Sequence, residues 1–236
     1  MNNFGNFNNP YNAPYYTASR AQEASLIQRV SYLLCTTLLV TAAAAWYADH
    51  IGLGPQWFFP LMIGTFVIVF ALSFARTSPG LGLALLYGLS VMEGLLMGPL
   101  LGMIARGYQY GATIIGEAAG LSALLVAGLG TYVWISNRDF GGLGRMLFWG
   151  LIGLLVVGLI SLFVHMGPAG HLIYAIAGAA LFVGFTLYDF SNIKRRFGPD
   201  DYVIAAVQLY LDFLNLFWFL LQILLTLSGG GGRRND

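Results

Sequence analysis

The run Tyr202-Val-Ile-Ala-Ala-Val-Gln208-Leu-Tyr-Leu-Asp212-Phe-Leu-Asn215-Leu-Phe-Trp-Phe-Leu-Leu-Gln222-Ile-Leu-Leu-Thr-Leu227 decides the fold. It carries a single charged residue, Asp212, and is longer than the roughly 20 residues that a helix needs to cross a hydrocarbon core. Gln208, Asp212, Asn215 and Gln222 stand at offsets of 0, 4, 7 and 14. At about 3.6 residues per turn they share one narrow arc, while the other faces are Leu, Phe, Ile, Val and Trp. A polar stripe on an apolar spanning helix belongs against other helices or a water-filled path. Gln208, Asp212 and Asn215 are therefore expected to turn away from lipid.

The rest of the chain repeats the apolar theme. Of its 236 residues 58% are hydrophobic and only 9% charged, and its mean hydropathy is +0.72. A soluble domain carries about 25% charged residues, so the water-soluble classes drop out. Six further spans read as approximately Val30–Ala48, Trp57–Ala75, Leu81–Ala105, Ala112–Ser136, Leu143–Val164 and His171–Phe190. Gly178 and Gly184 weaken the last of these, and Asp189 limits it. Short turn-rich links join them, such as Gly52-Leu-Gly-Pro55 and Ser78-Pro-Gly80. The expected architecture is an all-α membrane protein of seven transmembrane helices occupying residues 26–227. Residues 1–25, with six Asn and three Tyr, read as a disordered tail, and residues 228–236 as a second loose end.

Basic residues suggest the orientation. With the amino terminus in the cytoplasm, the inside collects Arg20, Arg29, Arg76, Arg138, Arg145, Lys194, Arg195 and Arg196. The outside collects Arg106, Arg233 and Arg234. That is a positive-inside bias and puts the carboxyl terminus outside. A net charge of +1 offers nothing to nucleic acid. The lone Cys35 excludes a disulfide framework, and His50, His165 and His171 have no metal-ligand spacing. The only lysine, Lys194, falls in a link, which excludes a retinal Schiff base.

Four carboxylates fall at membrane depth, where a charge costs about 2.5 kcal/mol or more on insertion scales. Glu117 lies within snorkelling reach of the surface. Glu93 falls near the middle of the third span, as a structural hydrogen-bonding group or as part of a pathway. Asp212 is the strongest signal, because an amide would serve as interhelical glue at lower cost. Asp189 ends the sixth span, and that span and the seventh form a hairpin that places both aspartates in its cytoplasmic half. Two carboxylates forced together cannot both ionise cheaply and share a proton. Such a pair is a pH sensor, a cation ligand, or both. Arg76, at the inner end of the second span, is either a lipid anchor or a latch that pairs with an aspartate. Gly98-Pro99 is expected to kink the third span, for packing or as a hinge.

The segments Leu187-Tyr-Asp189-Phe-Ser-Asn-Ile-Lys194, Asp201-Tyr-Val-Ile-Ala-Ala206 and Leu209-Tyr-Leu-Asp212-Phe-Leu-Asn215-Leu-Phe217 resemble the carboxy-terminal signature of the Bax inhibitor-1 family. Glu93-Gly-Leu-Leu-Met-Gly98-Pro99 extends the resemblance, which covers most of residues 26–227. It implies two three-helix layers wrapped around a central seventh helix. It also implies a pH-sensitive calcium leak controlled by a paired-aspartate site at Asp189 and Asp212, with Arg76 as candidate latch. Eukaryotic relatives are linked to suppression of cell death, and a bacterial branch to modulation of a membrane-bound protease.

The leading expectation is therefore a passive calcium leak, not an enzyme, in a bacterial inner (plasma) membrane. Calcium is its transported ion, and no cofactor is needed. Asp189 and Asp212 would form the pH sensor and low-affinity cation site, with Gln208, Asn215 and Glu93 as polar residues of the path. A second expectation is a non-transporting modulator of a membrane protease or other membrane partner. A third, an intramembrane aspartyl protease, fits poorly, because Asp212 sits in Leu-Tyr-Leu-Asp and not in Gly-x-Gly-Asp.

Overall fold

The computed structural model describes residues 20–74, 78–136, 138–161, 163–164 and 166–228. Arg76, most of the amino-terminal tail and residues 229–236 lie outside the described residues. Seven helices follow in order: α1 (Arg20–His50), α2 (Phe58–Phe74), α3 (Pro79–Gly107), α4 (Gly111–Ser136), α5 (Gly144–Ser161), α6 (Pro168–Arg195) and α7 (Tyr202–Leu227). All seven are long and apolar enough to cross a membrane once the single turn Pro55–Trp57 is counted with α2 and Gly141–Leu143 with α5.

The helices form two triplets, each organised by its third member. Helix α3 packs on both α1 and α2, and α6 packs on both α4 and α5. Helix α7 runs between the triplets and touches α1, α3, α4 and α6. Of its apolar stretch 61% is buried, against 28% or less in every other helix. Large side chains such as Phe66, Phe70, Leu124, Ile135 and Trp149 are exposed on the outer helices, where lipid is their solvent. The expected layers around a central seventh helix are present.

Boundaries differ from the hydropathy reading at two informative places. Helix α1 begins at Arg20, so residues 20–25, which composition assigns to the tail, form its first turns. Buried Leu26 and Val30 belong to a cluster with Ile193, Val203 and Ala206 of the α6–α7 hairpin, and the Arg29 guanidinium lies 5.5 Å from the centre of the Tyr202 ring. Burial by tertiary packing, not local hydropathy, therefore extends the helix. Helix α6 likewise continues six residues beyond Asp189 to Arg195, with Ser191, Asn192 and Ile193 buried. Asp189 is thus not a terminus. At 1.5 Å per residue it lies about 9 Å inside the helix.

The α1–α3 contact is the most extensive in the bundle and explains the buried glycines of α3. Gly94, Gly98 and Gly102 are all buried on one stripe at four-residue spacing. A Cβ on Gly94 would strike the Thr41 carbonyl, and one on Gly98 would strike the Ala45 carbonyl and lie 2.9 Å from Ala48 Cβ. Small residues let helix backbones approach in a setting where lipid supplies no hydrophobic drive between helices. Pro99 stays inside a continuous α3, and its neighbour Gly98 serves packing. Helix α1 then stops at Gly52, whose φ of +64° fits a residue without Cβ. Leu53 N–H donates to Ala48 O (3.0 Å) and Gly52 N–H to Asp49 O (3.1 Å), the Schellman pattern.

Candidate functional site

Helices α6 and α7 are antiparallel and joined by a short turn in which Gly198 N–H donates to Asp201 Oδ2 (2.8 Å). This hairpin places the carboxyl groups of Asp189 and Asp212 beside each other. Both are buried, at 5% and 4% exposure, so water reaches neither freely. Thr186 adjoins Asp212 from one turn earlier on α6 and is fully buried. Its hydroxyl donates to Phe182 O (2.8 Å). Ionised carboxylates only accept hydrogen bonds, so a hydrogen bond between the two requires a proton.

Several oxygens around the pair lack a donor. Asp212 Oδ2, Gln208 Oε1 and Asn192 Oδ1 are buried, and none has a hydrogen-bond partner among the described residues. Asn192 is three residues beyond Asp189 and Gln208 four before Asp212, so each lies one turn nearer the hairpin turn on the face of its aspartate. A buried acceptor without a donor is costly, and oxygen acceptors suit protons or hard cations. Among the described residues no group of three or more His, Cys, Asp and Glu could hold a metal ion.

The other residues singled out in the sequence fall elsewhere. Asn215 is half-buried on α7 and spends its Nδ2 on Leu211 O (2.8 Å), one turn back along its own helix. Glu93 is half-buried on α3. Glu117 is exposed. Arg76 lies outside the described residues.

Two features were missed by reading the sequence. The first is a hydroxyl network on the opposite side of α7. Tyr210, fully buried, has its Oη 2.7 Å from Thr41 Oγ1, and Thr41 also lies 3.1 Å from the Ser90 carbonyl. It ties α7 to α1 and α3. The second is the link between α4 and α5, which closes over the carboxy-terminal end of α6. Phe140 N–H donates to Ser191 Oγ (3.0 Å), Ser191 Oγ to Asp139 Oδ1 (3.2 Å), and Lys194 Nζ to Trp134 O (2.8 Å). The Gly141 N–H holds the Asp139 carboxyl below the usual aspartate range, helped by Ser191 and the charges of Arg195 and Arg196, against its partial burial. The spacing Thr186, Asp189, Asn192 would have revealed the α6 face had the span not been ended at Phe190.

The match to known proteins covers this whole assembly. The family model described as inhibitor of apoptosis-promoting Bax1 matches residues 23–229. The chain belongs to the Bax inhibitor-1 family. This Bax inhibitor-1 protein is 32% identical to an uncharacterized membrane protein of Vibrio cholerae, over 90% of this chain and 96% of the relative. It is 31% identical to the Golgi anti-apoptotic protein of vaccinia virus strain Lister, over 91% of this chain and 90% of the viral protein. It is also 34% identical to mouse protein lifeguard 4, over 69% and 65% of the two chains. The Bax inhibitor-1 chain is thus an integral membrane protein of seven helices, and its aspartate pair lies on the hairpin at the end of the matched region.

Proposed function

We propose that this protein is a pH-sensitive calcium leak channel whose gate is the shared proton of Asp189 and Asp212. The observation that supports the reading is the adjacency of two buried carboxyls on the central hairpin, beside buried oxygens that have no hydrogen-bond partner among the described residues. With one proton the pair is held together. Loss of that proton leaves two like charges in a low-dielectric environment, and either they separate or a cation enters between them. Calcium takes oxygen ligands from carboxylates and amide carbonyls, which is the donor set here. The positive-inside bias supports a cytoplasmic amino terminus and an outer carboxyl terminus, and the Vibrio cholerae relative supports residence in a bacterial plasma membrane.

Calcium flux into proteoliposomes, measured across pH for wild type, Asp189→Asn and Asp212→Asn, tests the proposal. A coupled pair should give wild type a flux that changes with pH over about two units, and each variant a flattened profile. Wild-type pH profiles in both variants would remove the paired-aspartate gate.

A further inference from the structure

At the end of the bundle away from the hairpin turn, α1 and α3 finish with an ion pair that the aspartate site does not use. Arg106 donates from Nη1 to Asp49 Oδ2 (2.8 Å) and from Nη2 to Asp49 Oδ1 (2.7 Å). Arg106 is 66% exposed and Asp49 27%. A Cβ on Gly102 would collide with the Asp49 carboxylate, so the glycine lets that carboxylate lie against α3 one turn before Arg106. The pair is built into the helix contact.

Asp49 and Arg106 form the polar rim of a cavity of about 440 Å³, walled by Trp57, Phe58, Leu61, Leu96, Leu100 and Met103. Its volume falls in the roughly 300–1,000 Å³ range of small-ligand sites, and its wall is apolar with charge at one edge. Exposed Trp46, Tyr47, Trp57 and Tyr110 stand at the same end of the bundle. Such aromatic side chains mark the head-group level of a bilayer, so the charged rim lies among head groups and the cavity beside acyl chains.

The rim offers both signs at once. Arg106 keeps N–H donors beyond the two that Asp49 uses, and each Asp49 oxygen keeps a lone pair. An anionic head group would meet a carboxylate beside its arginine. A head group carrying both phosphate and primary ammonium meets complementary partners at both positions, and its N–H donors match the Asp49 oxygens. A quaternary ammonium has no N–H to give. We propose that this cavity binds a phosphatidylethanolamine-type phospholipid from the adjoining leaflet, with phosphate at Arg106, ammonium at Asp49 and an acyl chain along the apolar wall.

The test uses the full chain in micelles doped with equal amounts of phosphatidylethanolamine, phosphatidylcholine and phosphatidylglycerol of identical acyl chains. Free lipid is removed by size exclusion, and retained lipid is measured by mass spectrometry. The ethanolamine lipid should be retained in roughly ten-fold excess over the other two, the ratio expected of one charge-assisted hydrogen bond. Asp49→Asn should abolish its advantage over the choline lipid. Leu96→Trp, which fills the cavity, should lower retention of all three. Met103 is 59% exposed, so Met103→Trp repeats that arm with no demand on the core if Leu96→Trp does not fold. Equal retention of the three lipids, an unchanged preference in Asp49→Asn, or unchanged retention in a folded tryptophan variant would each overturn the proposal.

Discussion

Replacing Gly98 by alanine tests the helix contact on which the bundle rests. The added Cβ would lie 2.9 Å from Ala48 Cβ and would also strike the Ala45 carbonyl, which belongs to the α1 backbone and cannot rotate aside. Carbon atoms pack best at about 3.5–4.0 Å, so α1 and α3 must part by at least about 0.6 Å. Overpacking of this kind costs about 1–3 kcal/mol. Alanine also gains about 0.5–1 kcal/mol over glycine within a helix. Gly128 on α4 supplies the control, because nothing lies within 4 Å of a Cβ placed there. The propensity gain is common to Gly98→Ala and Gly128→Ala, so the difference between them isolates the packing cost. At roughly 2–4 °C per kcal/mol for a chain of this size, Gly98→Ala should melt roughly 2–12 °C below Gly128→Ala. Thermal unfolding followed by circular dichroism in one detergent gives the comparison. Equal melting temperatures would refute the close-approach account.

Other expectations follow from single contacts. Tyr210→Phe removes the 2.7 Å bond to Thr41 and keeps the ring, so stability should fall by about 0.5–1.5 kcal/mol in the same assay; a wild-type melting temperature would mean the network holds nothing. Asp139 has its carboxyl held below the usual range, so its contribution is present above the ordinary aspartate value of about 3.9 and is lost as pH falls through its lower folded value. Asp139→Asn should therefore melt below wild type at neutral pH, with the gap closing in acid. A gap that stays constant down to about pH 2 would contradict that sign.

Much of the fold was legible because the membrane simplifies the code. Length and apolarity mark all seven spans, and the stripe from Gln208 through Asp212 marks α7 as the helix that faces others. Hydropathy failed where packing overrides it. Leu26 and Val30 draw a polar segment into α1, and buried Ser191, Asn192 and Ile193 carry α6 past Asp189. The site was legible in its aspartates, since a carboxylate in an apolar helix needs a reason. Thr186 and Asn192 escaped because an uncharged polar residue in a span satisfies its needs locally often enough to raise no alarm. Gly94, Gly98 and Gly102 could be counted, but which helix they admit depends on the crossing of α1 over α3. The Tyr210–Thr41 bond joins residues 169 positions apart, a pairing that no periodicity encodes.

The central claim is that Asp189 and Asp212 hold one proton between them and that its loss changes the state of the path. Infrared difference spectroscopy of the protein in lipid, stepped across pH, reads that proton directly through the carbonyl stretch of a protonated carboxyl. Wild type should display such a band at the acidic end and lose it over about two pH units, centred where calcium flux changes. In Asp212→Asn that titration should be missing. Identical titrations in wild type and Asp212→Asn, or a band that vanishes at a pH where flux is constant, would contradict the account.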